Sequence, residues 1–95
     1  MFIRVTTLTY DPSQEDQVIQ LGDEQLIPLL RQMSGFVSYH TGVDRAAGRG
    51  VAISVWDNLD HAAGLRTAIG GLVQEFGAIG VQFEPAQVFE LVRQV

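Results

Sequence analysis

The stretch FVSYHTGVDRAAGRGVAISVW, residues 36–56, decides the fold. Phe36 to Asp44 and Val51 to Trp56 are rich in β-branched and aromatic residues, which pack well on a pleated surface. The run between them, Arg45 to Gly50, carries two Ala and two Gly. Two strand patterns around a short Gly-containing turn predict an antiparallel hairpin. Working outward, a helical pattern flanks the hairpin on each side, and a further strand pattern lies beyond each helix.

On the N-terminal side, Phe2 to Tyr10 reads as a strand closed by Asp11-Pro12. Phe2, Arg4, Thr6, Leu8 and Tyr10 share one face; Ile3, Val5, Thr7 and Thr9 share the other. Asp11 suits an N-cap, Pro12 the first helical position, and Glu15 the positive end of the helix dipole. Val18, Ile19, Gly22, Leu26, Leu29, Leu30 and Met33 then form one apolar stripe. Pro28 removes the backbone bond to Glu24 and is expected to kink this helix. Ser34-Gly35 stops it, with Gly35 just past the last turn. On the C-terminal side, Asn58 is a natural cap and Asp60 favours a helix start. Ala62, Leu65, Ile69, Leu72, Val73 and Phe76 share a face. Gly70-Gly71, each costing about 1 kcal/mol relative to Ala, predicts one helix to Ile69 and a separate or bent segment to Ala78. Val81 to Val92 is a last strand region, interrupted at Pro85.

The resulting order, β-α-β-β-α-β, is the ferredoxin-like arrangement of the α+β class: a four-stranded antiparallel sheet with both helices on one face. At 95 residues, the chain is one domain, residues 1–95. The strands are apolar on both faces, as in Val51, Ile53 and Val55 opposite Ala52, Ser54 and Trp56. A sheet wetted on one side alternates more cleanly. The expected cover for the bare face is the same face of a second copy, a two-fold homodimer.

Composition narrows the partners. Hydrophobic residues are 46% and charged residues 18%, which excludes intrinsic disorder. Eleven acids against six bases, all of them arginine, give a formal charge of −5. No basic stripe is available to replace phosphate counterions, so nucleic acid is not an expected partner. The absence of cysteine excludes disulfides, thiolate metal sites and a thiol nucleophile. No apolar run approaches the roughly 18 residues of a membrane span, and no secretory signal is visible. A cytoplasmic setting is the expectation.

Two short motifs carry a family likeness. Met33-Ser34-Gly35-Phe36-Val37-Ser38-Tyr39 resembles the Pro-Gly-Phe joint between the first helix and second strand of the dimeric α/β-barrel superfamily, with Ser34 in place of the usual Pro. Val55-Trp56-Asp57-Asn58 resembles that superfamily's third-strand ending, where Trp leads into a capped helix. The branch most similar is the antibiotic-biosynthesis-monooxygenase-like domains, and the likeness spans essentially the whole chain. It implies a dimer with a pocket between sheet and helices, and the face of Arg4 and Thr6 turned toward that pocket. It further implies cofactor-free oxygenation of a small aromatic phenol or quinol, a substrate that gives an electron to dioxygen once deprotonated. Two rival readings stand beside it. One is a non-catalytic dimeric module, stress-related or structural, with a filled pocket. The other is haem binding or degradation. The haem-degrading signature would fall at Thr6, Leu65 and Glu75, and none of the three matches its Asn, Trp or His.

Candidate site residues follow from side-chain chemistry. His40 and His61 titrate nearest neutral pH. His40, on the parity of Phe36 and Ser38, is a candidate general base if it faces the pocket; otherwise it is a structural or interface histidine. His61, in the first turn of the second helix, reads as exposed. Arg66, at the edge of the second helix's stripe, is a candidate for stabilising a phenolate, against a side chain that keeps its charge in water. Trp56 could stack on an aromatic ligand or fill the core. Tyr39 could hydrogen-bond a ligand oxygen or sit at an interface rim, and Thr6 joins them as a binding candidate. Arg4 shares the face of Thr6, which the resemblance turns toward the pocket; the competing account, since an Arg on a largely buried strand calls for an acid partner, is a structural ion pair with Glu84 or Glu90. Phe76, Phe83 and Phe89 read as core, and Arg45 and Arg49 as solvated. No metal-ligand spacing occurs, and no cofactor is called for.

Overall fold

The computed structural model describes residues 1–95. Its elements run β1 (Phe2–Thr9), α1 (Glu15–Leu21), α2 (Ile27–Gln32), β2 (Phe36–Asp44), β3 (Arg49–Trp56), α3 (Leu59–Ala68), α4 (Gly70–Ala78), β4 (Gln82–Phe83) and β5 (Gln87–Glu90). The sheet is antiparallel, in the order β2-β3-β1, with β4 and β5 both on the free edge of β1. This is the expected α+β ferredoxin-like topology, with the last strand broken into two pieces at Pro85. The sheet of the single chain is open and does not close into a barrel. No helix is long and apolar enough to cross a membrane.

The helices lie on the face of β1 that carries Phe2, Leu8 and Tyr10. Their contacts form two separate packed groups. Tyr10, Leu72, Phe76 and Val81 make one, at the Tyr10 end of the sheet. Leu30, Trp56, Ala62 and Leu65 make the other, at the Trp56 end. Leu26 and Ile69 touch both.

Local chemistry accounts for most boundaries. The Asp11 carboxylate accepts from the Ser13 amide at 2.9 Å and opens the first helix through a short 3-10 turn, Pro12–Gln14. Asn58 Oδ1 accepts from the His61 amide at 2.9 Å and caps α3. The second helix breaks at Ile69, where Gly70 and Gly71 begin α4.

Three details differ from the sequence expectation. Pro28 does not cost a bond inside a regular helix. A π turn, Gly22–Leu26, precedes it, and the Ile27 amide reaches back to the Gly22 carbonyl. Pro28 thereby falls in the first turn of α2, where a missing N–H is tolerated. The extra residue in that turn also shifts the helix phase by one. Val18 and Leu21 pack inward before it and Leu26 and Leu30 after it, while Ile19 is left 46% exposed. Finally, Phe89 is not core: it is 48% exposed on the outer face, opposite Ile3.

Gly35 has φ +78°, the left-handed region that favours glycine. A β-carbon there would also collide with Asp57 Oδ1 and His61 Nδ1. The Gly35 carbonyl accepts from the Asp57 amide at 2.9 Å, so this turn ties the start of β2 to the end of β3. Gly35→Ala is expected to destabilise the chain by about 1–3 kcal/mol from backbone strain alone, with the collision adding to it. Urea unfolding midpoints of the two proteins measure the loss; an unchanged midpoint would contradict this account of the joint.

Candidate functional site

Cross-strand register sets the floor of the site. The row Val88–Arg4–Ser54–Tyr39 crosses β5, β1, β3 and β2 on the helix-facing side, and Thr6 lies opposite Ala52 one row along. These floor residues are mostly small or polar. Above them, α3 supplies Leu65 and Arg66, α4 supplies Phe76, and Ile69 stands at the break between the two helices. Between floor and roof lies a cavity of about 680 Å³, and twelve of its eighteen lining residues are hydrophobic. Glu84 and Pro85, at the break between β4 and β5, complete the wall.

Arg4 and Arg66 both line this cavity. Arg4 is half-buried and lies below the ordinary arginine range, because burial penalises its charge and the Arg66 charge adds to the penalty. The competing account of Arg4, an ion pair with Glu84 or Glu90, is not met. The chain has two ion pairs, Arg45–Glu15 at 2.9 Å and His61–Asp57 at 2.6 Å, and neither touches the cavity's guanidinium groups. Tyr39 lines the cavity as well. Burial pushes its phenol up to about 12, with Arg4 pulling weakly the other way. At neutral pH Tyr39 is therefore a hydrogen-bond donor and not a base. Thr6 is 7% exposed, and its hydroxyl donates to the Glu84 carbonyl at 3.3 Å. Together with the Glu84 amide bonded to Thr7 at 2.9 Å, it pins the strand break to β1.

The remaining candidates lie elsewhere. Trp56 is fully buried, so it is not a stacking surface for a ligand. Its Nε1–H donates to Ser54 Oγ at 2.8 Å, and its ring meets Phe36 edge-on at 5.6 Å. Its role is packing under the roof of the cavity. His40 is turned away from the cavity. Phe36 pairs with Trp56 but Ser38 pairs with Val55, so one extra residue, Val37, is inserted into β2. Beyond that bulge the parity reverses: Tyr39 faces the helices, and His40 faces outward beside Ser38 Oγ at 3.2 Å. The premise on which His40 could serve as a base in this pocket is not met. His61 is half-buried, holding Asp57 against Gly35. The sequence offered two readings of Arg4, on the pocket-facing side with Thr6 or in a structural ion pair, and the first matches its place here. The signal for its place in the site was its alternation with Phe2, Thr6 and Leu8 on the face that meets the helices.

A second cavity of about 310 Å³ lies between the first helix and β2–β3. Tyr39, Leu26, Phe76 and Phe83 line both cavities and stand between them. At the edge of this second space the Tyr10 hydroxyl donates to Glu15 at 2.6 Å, and Arg45 Nε donates to the same carboxylate at 2.9 Å. These bonds, Tyr10's first, hold Glu15 below the usual carboxylate range. No three of the chain's His, Asp and Glu side chains converge as a metal site would need.

A family model described as antibiotic biosynthesis monooxygenase matches residues 1–68. No curated protein matches the sequence significantly. Among solved structures, a candidate antibiotic biosynthesis monooxygenase of Deinococcus radiodurans aligns with TM-score 0.81 at 18% identity, covering 100% of this chain and 96% of that one. A monooxygenase from the ActVA-Orf6 gene of Streptomyces coelicolor, solved with the ligand nanaomycin D, aligns with TM-score 0.71 at 18% identity, covering 99% and 88%. SnoaB, a cofactor-independent oxygenase of Streptomyces nogalater, aligns with TM-score 0.68 at 20% identity, covering 99% and 95%. At these identities the three structures establish a shared fold.

The elevated phenol of Tyr39 makes stability pH-dependent on the alkaline side. A free tyrosine ionises near pH 10 and Tyr39 near 12, so the unfolded chain releases this proton first. Its contribution is complete below pH 10 and is lost as the pH rises from 10 to about 12. Ultraviolet titration of the folded chain is expected to show this late phenol, and Tyr39→Phe to remove it and flatten the alkaline loss of stability. A tyrosine count fully titrated near pH 10 would contradict the buried placement.

Proposed function

The chain belongs to the antibiotic biosynthesis monooxygenase family, and from that premise we propose that it binds a small aromatic phenol or quinol between sheet and helices and oxygenates it without a cofactor. The observation that carries this reading is the cavity itself. It is mostly apolar, it is large enough for a fused-ring arene, and it holds two guanidinium groups, neither of them in an ion pair with a carboxylate. A phenol entering it finds apolar walls for its ring and positive charge for its oxygen. Both charges lower the energy of the phenolate relative to the phenol. Arg66, Arg4 and the protonated Tyr39 are the groups that would hold the phenolate oxygen, with Thr6 anchoring the wall beside them.

In this reading no histidine takes the proton. It passes to Glu84, the carboxylate lining the same cavity, and on to solvent. The phenolate then gives one electron to dioxygen; the resulting radical and superoxide join as a carbon–oxygen bond. The peroxide takes a proton back from solvent through Glu84, and loss of water together with the hydrogen on the oxygenated ring carbon leaves the quinone, so phenol plus dioxygen yields quinone plus water. The protein's contribution is an apolar site, a fixed orientation and stabilised negative charge.

The same reading has a second copy covering the outer face of the sheet, and it treats the chain as cytoplasmic. Ile3, Val5 and Ile53 are only half-covered there, beside the exposed Phe89. Light scattering at micromolar concentration is expected to give a dimer mass for the chain and a monomer mass for Phe89→Glu. A monomer for the unsubstituted chain would overturn the sheet-to-sheet assembly.

The ligand reading is tested with 4-nitrophenol, whose phenolate form absorbs visible light. Binding is expected to lower its pKa, and Arg66→Gln to weaken binding about tenfold, the low end for a charge-assisted hydrogen bond. Aerobic incubation with a panel of hydroquinones is expected to consume oxygen, less so in Arg66→Gln and equally in His40→Ala. Binding without uptake would leave a non-catalytic binding module; no binding at all would overturn the reading.

A further inference from the structure

Two of the chain's six basic side chains line one cavity, in a chain of formal charge −5. Neither guanidinium has a carboxylate within ion-pair distance. Glu84 is the only acid on the lining, so the cavity carries a net positive charge of one when it is empty. Arg4 sits half-buried among mostly hydrophobic walls, where an uncompensated cation is costly, and the exposed Arg66 stands at the cavity's edge. A single phenolate answers only part of this arrangement. It offers one oxygen atom, which cannot take the two parallel N–H bonds that a guanidinium fork donates. A carboxylate offers two oxygens at the matching spacing.

We propose that the ligand of this cavity is an aromatic acid, an arene bearing a carboxylate beside its phenol, with the carboxylate held by Arg4 and Arg66. The inference rests on the cavity being the phenol site and adds the second charged group. Arg4 stands in the floor row between Val88 and Ser54, with Tyr39 at the end of the same row. Arg66 comes down from α3. A flat ring between floor and roof presents its edge to both. The protonated Tyr39 remains to donate to the phenol oxygen. Burial and the neighbouring charge weaken the protonated form of Arg4 in the empty cavity, and a ligand carboxylate reverses that penalty.

The test compares 1-naphthol with 1-hydroxy-2-naphthoate, which differ by one carboxylate, using calorimetric titration of the whole chain at low and high salt. The acid is expected to bind at least tenfold tighter. Its advantage is expected to shrink with salt and to fall to near unity in Arg4→Gln and in Arg66→Gln, but not in Arg49→Gln, which lies outside the cavity. Arg4→Gln removes a charge and leaves the floor packed, so its melting temperature without ligand is expected to equal or exceed that of the unsubstituted chain. Should Arg4→Gln fail to fold, Arg66→Gln, on the exposed side of α3, carries the test alone. Equal affinity for the two probes, or an acid preference that both substitutions leave intact, overturns the aromatic-acid inference while the phenol reading stands. Failure of both probes to bind overturns both.

Discussion

The core of this chain is packed at its two ends and not in its middle, and the rest of the architecture depends on that division. At one end Trp56 fills the space beneath Ala62 and Leu65; at the other, Phe76 and Leu72 close on Tyr10 and Val81. Beside Arg4 and Tyr39, the residues between them on the sheet include the short Thr6, Ala52 and Ser54. Those three side chains are too short to reach the helices. Two pillars therefore hold the roof at a fixed height above a floor that cannot fill the gap. The cavity is not a defect in packing but the product of side-chain length along three strands. Ser54 contributes twice: it keeps the floor low, and it satisfies the buried indole N–H that would otherwise cost about 1–3 kcal/mol.

The two motifs that carry the family likeness meet in space. Gly35 and Asp57 are joined backbone to backbone, Phe36 and Trp56 pack edge to face, and His61 closes over Asp57 against the glycine. A helix exit, a strand start, a strand end and a helix start are fastened at one point. This explains why short sequence signals from separate places indicate one fold: each is half of the same joint. It also explains the lack of room for a side chain at position 35.

Much of the fold was legible because its signals are local. Asp11, Asn58, Gly35, the Gly70-Gly71 pair and Pro85 each act within a few residues of themselves, and the element boundaries follow them closely. The site was legible only in part. Tyr39, Thr6 and Arg66 do line the cavity, whereas His40 and Trp56 do not. The condition set for His40, that it face the pocket, fails for one cause, the extra residue at Val37, and a single inserted residue has no composition of its own by which to be seen. The π turn ahead of Pro28 is the helical equivalent; it shifts a stripe by one position without changing its character. Arg4 was legible as two alternatives. A charged residue on a buried strand suggests an internal partner as well as a place in the pocket, and only the side-chain contacts show that no acid pairs with it.

Tyr39, Leu26, Phe76 and Phe83 stand between the two cavities, and every one of them is a side chain on an otherwise intact backbone. A partition built this way can be redrawn without moving a strand or a helix. Rotamer changes are among the quicker motions a protein makes. The division of the empty space beneath the helices is thus set by torsions about a few carbon–carbon bonds. Drift at those positions would reshape that space while leaving the frame as it is.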